Sequence, residues 1–272
     1  MLSFRKSKRP VLSQAQYDFF CYFLLQHTGI TIGPGKSDLI VNRLEKRLLQ
    51  LGVNYAGYIL KLKEIGGFEK SHFINALTTN KTDFFRENMH FDFLEKIVLE
   101  KFRDKTIYIW SAACSTGEEV YTIAMILEKL KESLRFDYKI LGTDINTEVL
   151  DKAKKGIYTG QDFQLLPEDK ISEYFQVHRN GVHYKVDDSI RKNVKFRFCN
   201  LNKYINYPVE FDVIFLRNVM IYFSEDMQKK VIKSMYNNLG NSGFLILAHA
   251  ESILAWTDKF NLIENSIYEK VS

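Results

Sequence analysis

The sequence predicts an α/β protein: a mostly parallel, doubly wound sheet with a small antiparallel β-subdomain, preceded by an all-helical N-terminal domain. Three observations predict it. From about Lys105 onward, short apolar runs with strand character alternate with amphipathic helical runs. Residues 11–77 carry only helical periodicity, with start and stop signals of their own. The stretch 171–198 breaks the alternation. There EYFQV and VHYKV flank Asn180-Gly181, a dipeptide that favours a tight hairpin turn.

The N-terminal segment begins with Ser13 and Gln16, an S-x-x-Q capping box ahead of an apolar run that Gly29 ends. A second helix is expected from about Lys36 to Leu51. At about 100° per residue, Ile40, Leu44, Leu48 and Leu51 share one face. Lys36, Arg43, Lys46 and Arg47 fall on an adjoining arc as a basic stripe, with Asp38 and Glu45 away from it. Gly52, Gly57 and Gly66-Gly67 punctuate shorter helices. The predicted organisation is a helical domain over 1–77, a linker and helix over 78–104, and a sheet domain over 105–272 with its β-subdomain at about 171–198. The sheet strands are IYIWSA (107–112), KILGTD (139–144), KFRFCN (195–200), FDVIFL (211–216), FLILAH (244–249) and a last one near 266–271. Helices are expected near 120–131, 147–155 and 226–238.

The 272 residues suffice for one large domain and a small one. The 46% hydrophobic and 26% charged composition is that of an ordinary globular chain. No apolar run reaches the roughly 18 residues that a membrane-spanning helix needs. MLSFRKSKRP is basic, but Gln14, Gln16 and Asp18 interrupt the apolar stretch after it, which makes a poor signal peptide. Cys21, Cys114 and Cys199 are scattered and odd in number, fitting a reducing cytosol rather than a disulfide framework or a metal motif. Net charge is +5, and residues 1–75 hold eleven Lys/Arg against five Asp/Glu, so this part alone carries +6 and the rest −1. Such a basic segment suits an acidic partner; a plainly solvated surface fits the charge equally well.

Ligands of open α/β sheets bind beyond the carboxyl ends of the strands. The first strand runs into Ala113-Cys114-Ser115-Thr116-Gly117-Glu118-Glu119 and then a helix. The loop has neither G-x-G-x-x-G nor the Walker pattern, and its single glycine and two acids suit a ligand without phosphate. S-adenosylmethionine, with an amino-acid end and a sulfonium centre, is such a ligand. Glu118 or Glu119 would meet its ammonium group; the alternative is two first-turn acids that stabilise the helix. Asp144 ends the second strand, 27 residues after Gly117 (144 − 117), where a carboxylate takes ribose hydroxyls; a turn or cap aspartate is the alternative. Asn200 and Leu201 after the third strand offer an amide and an apolar face to adenine. Arg217, Asn218 and Tyr222 follow the fourth strand, and core packing is the alternative for Tyr222.

These residues sit in longer segments: LTTNKTDFFRE (77–87), WSAACSTGEE (110–119), GTDINTEVLDKAKKGIY (142–158) and FLRNVMIYF (215–223). In them, and in its helical N-terminus and hairpin, the chain resembles the CheR family of chemotaxis receptor protein-glutamate methyltransferases along essentially its whole length. The resemblance implies a class I methyltransferase sheet that converts receptor glutamates to methyl esters, leaving S-adenosylhomocysteine. It also implies that Asn80, Thr82 and Arg86 close the cofactor site, joining Glu118, Glu119, Asp144, Asn200, Leu201, Arg217 and Asn218. Arg86 and Tyr222 would orient the substrate or the reactive methyl. The hairpin is shorter than in enteric members, which dock that subdomain on a receptor C-terminal peptide, so direct action on the receptor's methylation helices is expected. Lys36, Arg43, Lys46 and Arg47 would then face those acidic helices.

A glutamate nucleophile is already ionised at neutral pH and needs no general base. The motifs contain no obvious His or Cys base, and His249 lies off all of them. The expected protein is a cytoplasmic monomer acting on receptors, without nucleic acid, metal or membrane insertion. The chief rival is a nucleic-acid methyltransferase that tracks phosphate with the basic segment. Against it, FLRNVMIY lacks the Pro-Pro-aromatic motif of amino-methylating DNA enzymes, and no stacking aromatics interleave the basic residues. A cofactor-binding adaptor without turnover is the other rival.

Overall fold

The computed structural model describes residues 11–271 apart from 65, 66, 165, 167, 179 and 180. The basic N-terminal decapeptide and Asn180 of the expected turn therefore lie outside the described residues. The chain forms two compact units, Met1–Thr78 and Thr79–Ser272.

The first unit is helical: α1 (Gln14–Thr28), α2 (Ser37–Leu51), α3 (Tyr55–Lys63) and α4 (Glu69–Leu77). The expected capping box is present at Ser13 and Gln16, and Gly29 ends α1 at φ 79°. Tyr17, Phe20, Leu24 and Thr28 recur at helical spacing and are buried. Phe20 and Phe23 pack on Tyr55, Tyr58 and Phe73, making an aromatic core. Ile40, Leu44 and Leu48 of α2 are buried as expected, while Leu51 is only half-buried.

The second unit opens with an extended segment and α5 (Met89–Lys101). It continues β1 (Thr106–Ala112), α6 (Glu118–Leu130), β2 (Asp137–Asp144), α7 (Thr147–Lys155), β3 (Ile157–Thr159), α8 (Glu168–Tyr174), β4 (Phe175–His178), β5 (His183–Val186) and α9 (Asp188–Arg191). It closes with β6 (Val194–Phe198), β7 (Phe211–Leu216), α10 (Glu225–Asn238), β8 (Leu239–Leu247), β9 (Phe260–Glu264) and β10 (Ile267–Lys270). Among the described residues the large sheet has the order β6-β2-β1-β7-β8-β10-β9. β10 alone runs against its neighbours β8 and β9; the other pairings are parallel. The chain winds outward from β1 through β2 to β6, then returns to β7 on the other side of β1. That reversal is a topological switch point, where such sheets bind ligands.

The hairpin of β4 and β5 is present, and β3 extends it into a three-stranded antiparallel sheet. The small sheet thus draws on residues 157–186, earlier than the expected insertion, because β3 is too short to show any periodicity. Val194–Phe198, at the end of the expected insertion, belongs to the large sheet. The strand β9 escaped the sequence reading: of its residues only Phe260 is buried, so no alternation marks it.

Candidate active site

Parallel register brings four strand ends to one edge. Ala112 lies opposite Thr143, Asp144 opposite Phe198, and Ser111 opposite Phe215. The segments after β1, β2, β6 and β7 therefore emerge together. Five residues other than glycine hold positive φ in this unit's site segments: Phe85, Glu87, Ala113, Ser115 and Asn218, at 51–68°. Such strain costs on the order of 1–3 kcal/mol per residue and clusters where backbone must face a ligand. Gly117 (φ 97°) is the residue the loop requires, since a Cβ there would lie 2.9 Å from the Ala153 Cβ.

Glu118 and Glu119, consecutive on α6, diverge by about 100°. Glu118 is 3% exposed; its carboxylate takes the Thr116 hydroxyl and lies 3.9 Å from Lys152 Nζ. Burial pushes its carboxyl up to about 7. Glu119 turns to the strand ends, accepting from the Ser111 hydroxyl (2.7 Å) and from Arg217 Nη1 (3.0 Å). Arg217, 2% exposed in its side chain, also pairs with Glu87 Oε2 at 3.3 Å and donates to the Arg86 carbonyl. Its guanidinium lies over the Phe91 ring, 5.4 Å from the centroid. Arg217 is therefore a buried strut linking β7, α6 and the 80–87 segment.

That segment is seated by further bonds. Ser115 Oγ donates to the Asn80 carbonyl (2.8 Å) and Phe85 N–H to Thr122 Oγ1 (3.1 Å). Phe84 is buried among Tyr158, Phe163 and Phe175. Thr82 is half-buried on the same stretch, and Arg86 donates from Nη1 to the Lys81 carbonyl. Asn80, Thr82 and Arg86 are thus carried to the strand-end edge.

Asp144, 7% exposed, accepts the Ser115 N–H (2.9 Å) on one oxygen and the Asn146 N–H (2.8 Å) on the other. It ties the β1 and β2 loops together, which is the turn role expected as the alternative to ribose binding, and burial raises its pKa despite these bonds. Ile145 adds a third backbone bond, and the carboxylate's remaining lone-pair position can accept a hydroxyl. Asn200 is half-buried, its amide plane fixed by the Asn202 N–H on Oδ1, and Leu201 is buried. Asn218 donates to Glu87 from its side chain (3.4 Å), and Tyr222 is half-buried at the end of the turn beyond it.

Sequence reasoning missed Glu87 and Glu251. Glu251, 5% exposed, accepts the N–H groups of Asn218, Met220 and Ala248, so it shapes the backbone after β7. A lone acid in the run LAHAES was its only signal.

In the helical unit the basic stripe divides. Arg47 makes a bidentate pair with Glu69 (2.9 and 2.6 Å), and Arg43 donates to the Ala76 and Thr78 carbonyls at the end of α4. Both arginines brace α2 against α4. Lys36 and Lys46 are exposed.

The donor set fits a cationic, phosphate-free adenosyl ligand: buried acids at the β1 and β2 ends, one loop glycine, and an amide beside an apolar residue. These features and the strand order define a class I S-adenosylmethionine-dependent methyltransferase. Residues 80–268 match the CheR methyltransferase SAM-binding domain and residues 15–78 the CheR methyltransferase all-alpha domain. The chain is 36% identical to a chemotaxis protein methyltransferase of Salmonella typhimurium over 96% of this chain and 92% of that one. It is 35% identical to the Escherichia coli protein of the same name, over 98% and 94%. A third such protein, from Borreliella burgdorferi, is 37% identical over 83% of each. The chain belongs to the CheR methyltransferase family. It is an S-adenosylmethionine-dependent chemotaxis protein methyltransferase. No helix among the described residues is long and apolar enough to cross a membrane.

Proposed function

We propose that the protein methylates glutamate side chains on the cytoplasmic helices of chemotaxis receptors, serving adaptation. The observation that carries this reading is the chemistry of the edge. Its side chains are carboxylates, amides, hydroxyls and arginines, and its two thiols, Cys114 and Cys199, are buried, with burial pushing both pKa values up. No thiolate or imidazole base stands among the predicted site residues. An acceptor that needs no deprotonation matches such a site, and a glutamate carboxylate is one.

S-adenosylmethionine supplies an electrophilic methyl on a cationic sulfur. Glu119 and Asp144 are assigned to its amino-acid and ribose ends, and Asn200 with Leu201 to its adenine. Asn80, Thr82 and Arg86 cover the site, while Arg217 and Asn218 hold the strand-end backbone. A carboxylate and a sulfonium lose charge together as they react, so a tight Arg–carboxylate pair would stabilise the ground state and slow the step. Arg217, already shared by Glu119 and Glu87, is kept from that role. The work left to Arg86 and Tyr222 is alignment, with reacting atoms about 3 Å apart. Lys36 and Lys46 are assigned to the acidic receptor surface.

The test is transfer of radiolabelled methyl to receptor-bearing membranes, with DNA and RNA as competing acceptors. Alkali-labile label on receptor glutamates is expected. Alkali-stable label, or label on nucleic acid alone, would overturn the reading. Tyr222→Phe and Arg86→Ala should each lower turnover at saturating cofactor; near-wild-type turnover in both removes their assignment.

A further inference from the structure

Behind Arg217 lies a cluster that methyl transfer does not use. His90, in the first turn of α5, is 0% exposed. Its Nε2 lies 3.0 Å from the Asn265 carbonyl. A carbonyl only accepts, so Nε2 carries the proton and Nδ1 presents a lone pair. That Nδ1 is buried with no hydrogen-bond partner and faces, at 3.6 Å, the Glu87 Oε2 that Arg217 Nη2 approaches at 3.3 Å. Arg217 balances the carboxylate charge, and the buried His90 Nδ1 lone pair is left without a donor. The exposed His249 ring, following β8, lies tilted at 33° with its centroid 5.3 Å from that of His90. Ligand atoms of Glu87, His90 and His249 all lie within 4.8 Å of one another.

We propose that Glu87, His90 and His249 bind a divalent transition-metal ion of the zinc class. Three features support this. The donor set, two imidazoles and a carboxylate, is one that zinc takes with three protein ligands, leaving a fourth position open. The ring tautomer is fixed by a backbone carbonyl, the usual outer support of a metal-bound imidazole. His249, at the surface, gives the ion a way in. Tetrahedral zinc holds its ligand atoms roughly 3.4 Å apart, and the exposed His249 side chain is free of the packing that fixes His90, so it can close the gap.

Charge decides which ion. Glu87 and Glu119 balance Arg217 and Arg86, and a divalent ion would bring the group to +2. The nearby guanidinium and the α5 N-terminus oppose any cation. An ion held by a single carboxylate, such as magnesium or calcium, gains too little here. One bonded through imidazole nitrogens does not depend on charge alone.

The measurement needs no methyl acceptor and stands apart from the proposed reaction. The full-length protein is dialysed against Zn²⁺, or titrated with Co²⁺ while its visible spectrum is followed. One ion per chain is expected, with tetrahedral Co²⁺ bands and no comparable uptake of Mg²⁺. His249→Ala, a surface change, should weaken binding at least tenfold while the thermal melt of the metal-free protein stays unchanged. Cys21→Ser, at a half-exposed thiol, should leave binding intact. No uptake by the wild type, unaltered affinity in His249→Ala, or loss of the site in Cys21→Ser would each overturn the proposal.

Discussion

Replacing Arg217 with Met should cost the second unit about 3–5 kcal/mol. The side chain is 2% exposed and neutralises Glu119 at 3.0 Å and Glu87 at 3.3 Å. Removing one member of a buried ion group leaves uncompensated charge, and that penalty is the one at issue. For a unit of about this size each kcal/mol moves the midpoint by about 2–4 °C, so a drop of roughly 6–20 °C is expected. The pH dependence gives an internal check. Burial would raise the Glu87 carboxyl, but Arg217 with Asn218 outweighs it and holds the pKa below its ordinary value. A depressed folded-state pKa contributes stability that is present above the unfolded value and lost as pH falls through the folded one. In Arg217→Met that contribution vanishes, so the gap between variant and wild type should narrow on acidification. Adding Glu87→Gln to Arg217→Met should recover part of the loss, since it removes one stranded charge. Calorimetry of the three proteins from pH 4 to 8 decides the matter. A single variant melting within about 2 °C of wild type at pH 7, or no recovery in the double variant, refutes the strut.

Glu118→Gln should stabilise the protein at alkaline pH. The folded carboxyl is raised to about 7 from an ordinary value of 4.5, so its stability contribution is full below 4.5 and is lost as pH rises through 7. The interval corresponds to about 3 kcal/mol; the variant should gain on the order of this at pH 8 and nothing near pH 4, and equal melts at both pH values would contradict it. Asp144→Ala should weaken S-adenosylhomocysteine binding at least tenfold by calorimetric titration, because the residue also holds the Ser115 and Asn146 N–H groups; unchanged affinity removes it from the site. Lys36→Glu with Lys46→Glu should raise KM for receptor in a salt-sensitive way, leaving cofactor affinity alone. Charge reversal at Arg43 or Arg47 is a poor probe, since each would unseat α4.

What the sequence discloses depends on how far a feature reaches along the chain. The Ser13–Gln16 box and Gly29 act within one turn of their helix, so they are readable. Asp144 is readable because a strand end is a local landmark. The division of Glu118 from Glu119 follows from helix geometry, yet which one faces the strand ends depends on Arg217, 98 positions further on. Arg43 and Arg47 look like a surface stripe because their partners sit on another helix. His249 gives no signal, since it meets His90 only through the folding of β8 and α5. Three-residue β3 and thinly buried β9 lack the length or alternation that marks a strand.

The left-handed residues at the strand ends carry a lesson for anyone engineering this scaffold. Phe85, Glu87, Ala113, Ser115 and Asn218 all hold a conformation that glycine adopts without strain. Glycine at Ala113 would relieve about 1 kcal/mol of local strain and pass as a stabilising change. It would also hand the loop many more conformations in the ligand-free state. The reward in heat tolerance would return as an ordering cost each time cofactor binds, so selection for thermal stability and for cofactor affinity would pull this loop in opposite directions.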